Sequence, residues 1–199
     1  MHDGRFDPSG FYEFNLTGGT VRTRGGERGV QAVRVVTGEA VMAAESQGYW
    51  SAELLTAALA KQSKPLPANW RERIVKAKNP FYLIDYRDGF KACVAMLNGL
   101  TADFLFAARL RGQKAMATKF ALHNGYPYRH FEWLVKAIDH LMQTGQPPYP
   151  VERTVLTTGM INAAMQSLAA DNRRIETPHL DVAYRATQWG HAPGEPNFK

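Results

Sequence analysis

The sequence predicts an α+β fold: an open, mainly antiparallel sheet, arranged as a meander, with helices packed on one face. Three observations lead there. Four strand-like runs between Phe81 and Leu122 are joined by turn dipeptides. The flanking segments carry apolar residues at helical spacing instead. Finally, 199 residues with 45% hydrophobic and 11% aromatic content suffice for one ordinary core.

Residues 1–29 are Gly-rich and weakly patterned, which predicts an irregular N-terminal arm. A single sheet-and-helix domain follows over 30–184, and 185–199 reads as a polar tail. Val30 to Val36 is a β-branched run suited to a strand, with Ala40 to Ala44 as its expected partner across Gly38. Ser51 then caps a helix running toward Gln62, with Trp50 as a staple on Leu55. The Pro-containing 63–69 segment and the basic residues after it read as an exposed loop with room for a short helix.

Phe81 to Tyr86, Phe90 to Leu97, Ala102 to Leu110 and Ala115 to Leu122 are the four runs. Asp88-Gly89, Asn98-Gly99 and Gly112-Gln113 are their joints, each suited to a two-residue hairpin. Such turns place Arg87 opposite Phe90, Leu97 opposite Leu100 and Arg111 opposite Lys114. One face then collects Phe81, Leu83, Ala92, Val94, Met96, Leu105, Met116, Phe120 and Leu122, the other Tyr82, Ile84, Tyr86, Cys93, Ala95, Leu97, Phe104, Phe106, Ala108 and Ala117. Both faces are apolar, so a homo-oligomer through the uncovered sheet face is expected. Two helices close the domain. Phe131 to Met142 has a helical stripe that Gly145 ends, and Val151 to Ala169 presents Met160, Ile161, Ala164, Met165 and Leu168. A short strand around Arg174 to Glu176 follows.

The net charge of +6 gathers in three basic stretches, Arg22 to Arg34, Lys61 to Lys78 and Arg109 to Arg129. No zinc finger, RNA-binding signature or basic zipper accompanies them, so nucleic acid is not the expected partner. The longest uncharged run, Thr154 to Ala170, is too short and too polar to span a bilayer. With no secretory signal pattern and one cysteine, Cys93, the expected location is the cytoplasm, with no membrane partner. His123, His130 and His140 lack metal-ligand spacing, and no metal is expected. There is no G-x-G-x-x-G, P-loop or G-x-S-x-G. Arg153 near the last helix start could pair with Glu176 or bind a substrate anion.

Several stretches together carry a resemblance: Arg24-Gly25-Gly26-Glu27, Tyr49-Trp50-Ser51 to Leu59, Tyr86 to Ala92, and Met96-Leu97-Asn98-Gly99. Phe106 to Leu110, Pro148 to Thr158 and Arg174 to Leu180 continue it. Over roughly residues 22–184 the chain resembles the C-terminal half of the glucose–fructose oxidoreductase and inositol dehydrogenase family, in a divergent bacterial branch. The resemblance implies a substrate-binding and oligomerisation domain of an NAD(P)-dependent sugar-type oxidoreductase. The family's Rossmann domain, its Glu-Lys-Pro strand motif and its catalytic Asp and His pair have no counterpart here. Expected accordingly are no cofactor in this chain, NAD or NADP only with a Rossmann subunit or segment, catalytic residues that stay unassigned, no activity of the chain alone, and no tight nucleotide binding alone.

For a sugar-like small molecule the candidates are Arg24, Glu27, Trp50, Asn98 and His179, polar or aromatic residues at element ends. Trp50 as helix staple and Asn98 as turn residue remain the alternative roles. A second class of function is a non-catalytic binding or assembly protein that uses its basic surface for an anionic ligand.

Overall fold

Valines open the sheet: Val30–Val36 forms β1, buried along most of its length. The computed structural model describes residues 29–62, 64–109, 114–119, 130–147 and 150–184. The expected arm (save Gly29), the expected tail 185–199 and the Gly112-Gln113 joint lie outside the described residues.

Three helices follow β1: α1 (Glu39–Ser46), α2 (Ala52–Leu59) and α3 (Trp70–Lys76). The segment Ala40–Ala44, expected as a strand, belongs to α1. It holds three Ala and one Met between Glu39 and Glu45, residues that favour a helix over an extended chain. Ser51 caps α2 as expected, its hydroxyl accepting from Leu54 N at 3.2 Å. The basic residues after the proline segment form α3. Next come β2 (Phe81–Tyr86), β3 (Lys91–Ala95), β4 (Leu105–Ala108) and β5 (Met116–Lys119). The chain ends in α4 (His130–Thr144), α5 (Val151–Ala169), β6 (Ile175–Glu176) and a 3-10 turn at Pro178–Leu180.

The fold is α+β with an antiparallel sheet, ordered β3-β2-β1-β6. β1, β2 and β3 run as a meander, and β6 returns to the far side of β1. The meander does not continue through all four middle runs, because β4 and β5 pair as a separate ribbon. Leu97 to Thr101 is a turn, with Gly99 at φ +80° and Leu100 N bonded to Leu97 O, and no strand pairing follows it.

Registers differ by one residue from those expected. Tyr86 N bonds Phe90 O at 2.9 Å, leaving a three-residue loop in which Gly89 sits at φ +85°. That is a turn plus a glycine bulge rather than a two-residue hairpin. The slip moves Ala92 and Val94 beside Ile84 and Tyr82, and Cys93 beside Leu83. β4 and β5 likewise pair Ala108 with Met116, one residue off.

Helices occupy both faces of the sheet rather than one. Val36, Phe81, Leu83 and Cys93 bury against Val41, Trp50, Leu54, Leu55 and Ile74 of the α1–α3 layer. Val33, Val35, Ile84 and Ala92 bury against Leu156, Met160, Ala163 and Ala164 of α5. So no face of the four-stranded sheet stays open among the described residues, and the expected oligomer surface is not there. The α5 stripe is also turned from the expected one: Met160 and Ala164 are inside, but Ile161 and Met165 are 66% and 55% exposed. On α4, Leu134, Val135, Ile138, Leu141 and Met142 all face solvent. Against α5 sits Leu180 of the 3-10 turn; Gly29 has its Cα where a Cβ would lie 2.6 Å from Leu180 O.

Candidate functional site

Asp85 is the one ionised residue in a strand that otherwise reads Phe-Tyr-Leu-Ile-Tyr. Its register places it beside Lys91 on β3 and Ala32 on β1, on the sheet face that carries α1–α3. Tyr49 reaches the same corner from above. The end of α1 explains how: Gly48, at φ +80°, donates to Glu45 O, and Tyr49 N donates to Ala44 O at 3.2 Å. This is a Schellman motif, and it turns the chain so that Tyr49 lands over the sheet. Arg174 comes from the far side, just before β6.

Together these residues bound an open cleft of about 320 Å³ lined by Gln31, Tyr49, Asp85, Tyr86, Gly89, Phe90, Lys91 and Arg174. The Tyr49 hydroxyl donates to Asp85 Oδ1 at 2.8 Å. Arg174 Nη1 donates to Asp85 Oδ2, and its Nε donates to Glu176 Oε1 at 2.8 Å. Lys91 donates from Nζ to Gln47 O at 2.8 Å and lies 4.7 Å over the Tyr49 ring, a cation–π contact. The Tyr86 and Phe90 rings stand 5.5 Å apart on the adjoining side.

Burial, reinforced by the hydrogen bond to Asp85 and its charge, pushes the Tyr49 phenol up to about 12. It therefore stays protonated at neutral pH and acts as a donor, not a base. Asp85 already receives one donor on each oxygen. Both oxygens of the one acid that lines the cleft are thus occupied by donors. Cys93 is fully buried, and burial pushes its thiol well above the usual range. Among the described residues no group of three His, Cys, Asp or Glu side chains could hold a metal ion.

The expected site residues lie elsewhere. Trp50 is 1% exposed, donates its indole N–H to Val41 O at 2.8 Å and packs on Phe81 and Trp70. It is a core residue. Asn98 sits exposed in the turn after β3, and His179 exposed in the 3-10 turn; neither lines the cleft. Arg24 and Glu27 lie outside the described residues. Glu176 bonds Arg174 rather than Arg153. Asp85 and Lys91 were legible as an acid facing a base across the Asp88-Gly89 turn, but only with the three-residue loop register, and Tyr49 carried no such signal. Four of the described cations of the basic stretches are matched by acids: Arg71 by Glu45, Lys76 by Glu72, Arg109 by Glu53 and Lys119 by Asp103. No described helix is long and apolar enough to cross a membrane. Comparison with protein-family models, with curated proteins and with solved structures finds no match to this chain.

Proposed function

We propose that this chain is the substrate-binding and assembly domain of a cytoplasmic NAD(P)-dependent oxidoreductase for a sugar-like substrate. Its nucleotide-binding half is a separate subunit or segment. The observation that carries the reading is the outer surface of the last two helices. On α4, five large apolar side chains from Leu134 to Met142 are 40–78% exposed. On α5, Val151, Val155, Ile161 and Met165 are 43–67% exposed, the last three in a run without charge from Thr154 to Ala170. Isolated domains rarely leave that much apolar surface wet, and a packed neighbouring domain would cover it. The sequence resemblance implies a separate nucleotide-binding domain that could supply such a neighbour, and the α+β architecture agrees with the resemblance. The oligomer expected through the sheet gives way to this helical face, since both faces of the sheet are covered.

A second reading, a non-catalytic protein for an anionic ligand, is favoured by one observation: Lys91 and Arg174 flank the cleft. Calorimetric titration separates the two. The chain alone should bind neither NAD nor NADP at micromolar concentration. A co-expressed polypeptide bearing a glycine-rich strand–turn–helix should bind the chain and, with it, turn over NAD or NADP with a sugar. Saturable nucleotide binding by the chain alone, or failure of every such polypeptide to bind it, overturns the oxidoreductase reading.

A further inference from the structure

We propose that the cleft between the α1–α2 connection and the β2–β3 hairpin seats an oxyanion, carboxylate or phosphate, borne on a polyhydroxylated ligand. The proposal deepens the preceding reading and takes its sugar-like frame from it; the oxyanion comes from the cleft itself.

Three of the eight lining residues are ionised, namely Asp85, Lys91 and Arg174. They do not cancel. Asp85 is held from both sides, by the Tyr49 hydroxyl and by Arg174. Lys91 has no carboxylate partner among the described residues: its ammonium rests on a backbone carbonyl and an aromatic face. An ammonium carries three N–H donors and a guanidinium five, so donors remain on both cations once the bonds above are made. Arg34 adds a further positive charge nearby, with its Nε on Asn172 O at 3.1 Å. Arg174 is held by Glu176 as well as Asp85, so the unmatched charge of the cleft is that of Lys91, while its one acid is already satisfied. A neutral sugar needs donors and acceptors in equal supply, whereas an oxyanion needs donors alone.

The rest of the lining suits the frame behind that anion. Gln31, on the bulge of β1, supplies an amide that both donates and accepts, and half-buried Phe90 borders the cleft, while the Tyr86 ring is buried against Met160 of α5. The volume of about 320 Å³ is at the small end of ligand pockets, which favours a single sugar unit over an oligosaccharide. The backbone is set in place before any ligand arrives. Gly89 at φ +85° and the bond from Phe90 N to Asp88 Oδ1 at 3.0 Å fix the hairpin end that carries Lys91.

The test is calorimetric titration of the full chain, without nucleotide, against D-gluconate, glucose 6-phosphate, glucose and inorganic phosphate. At least one of the two anionic sugars should bind tenfold or more tightly than glucose, and which one does so tells carboxylate from phosphate. That binding should weaken at least tenfold in Lys91→Met, survive in Lys91→Arg, and weaken as salt is raised. Circular dichroism confirms that both variants fold. Equal binding of glucose, no binding of either anionic sugar, or unchanged binding in folded Lys91→Met overturns the proposal. Inorganic phosphate binding as tightly as glucose 6-phosphate overturns the sugar-like frame. None of these results bears on the nucleotide and partner experiment above, so the two readings fail separately.

Discussion

Tyr49 holds its proton into strongly alkaline solution because it is buried and its hydroxyl is committed to Asp85. Its ordinary value is 10.0 and its folded value about 12, so it favours the folded state below pH 10. That contribution is lost as pH rises from 10 to 12, because the unfolded chain ionises first. Alkaline titration of tyrosinate absorbance should show a late component near pH 12 that is lost in Tyr49→Phe. Cys93 gives a second check at this scale. Fully buried among apolar side chains, it should resist a thiol reagent in the native chain and react only at the rate of unfolding. Rapid labelling without denaturant would show that the sheet core opens locally. The site was only partly legible in the sequence at this level. Trp50 attracts attention as a large aromatic at a helix start, yet its neighbour Tyr49 is the one at the cleft. One residue decides which side of a helix end faces the sheet, and only the Schellman turn at Gly48 sets it.

Between elements, the edge of β1 is closed by side chains where β6 is too short to do so. Thr177 Oγ1 donates to Val30 O at 2.8 Å at one end. At the other, Val35 N donates to Ser167 Oγ at 3.0 Å, while that hydroxyl donates to Arg173 O at 2.6 Å. Ser167 is fully buried, so Ser167→Ala leaves a buried N–H and a carbonyl without this partner. A loss of about 1–3 kcal/mol is expected in urea denaturation, since unsatisfied buried groups carry that penalty. A change under a few tenths would mean water replaces the hydroxyl. Much at this scale was readable in advance: the strands β2 and β3, the cap at Ser51, and α5 with its bounds. What was not readable has a common cause. The segment of α1 has few β-branched residues but lies beside a strand, and Asp88-Gly89 suits two loop lengths whose registers differ by one. Local sequence leaves those choices open, and packing on both sides of the sheet settles them.

Among the described residues the molecule is a sheet between two helical layers, and most of its exposed large apolar side chains lie on α4 and α5, with Met96, Phe104 and Met116 near the β4–β5 ribbon. The sequence pattern revealed the excess of apolar surface but put it on the sheet, because periodicity shows that a face is apolar without showing what lies against it. Purified alone at micromolar concentration, the chain should self-associate through these helices. Ile138→Glu with Ile161→Glu should return it to a 22.2 kDa monomer by light scattering, with an unchanged melting temperature. A wild-type monomer stable at that concentration would count against the uncovered helical face.

The closure of β1 also imposes an order in time. Its hydroxyl contacts come from residues 132 and 147 positions later in the chain. On the ribosome, therefore, β1 emerges with one edge unmet and must wait until nearly the whole domain has been synthesised. During that interval the nascent chain exposes a valine-rich strand, the kind of edge that recruits other strands. Synthesis rate and chaperone access, more than final stability, then decide how much of this protein is recovered soluble. Codon changes that slow translation between β3 and α5 should lower that yield while leaving the folded product unaltered.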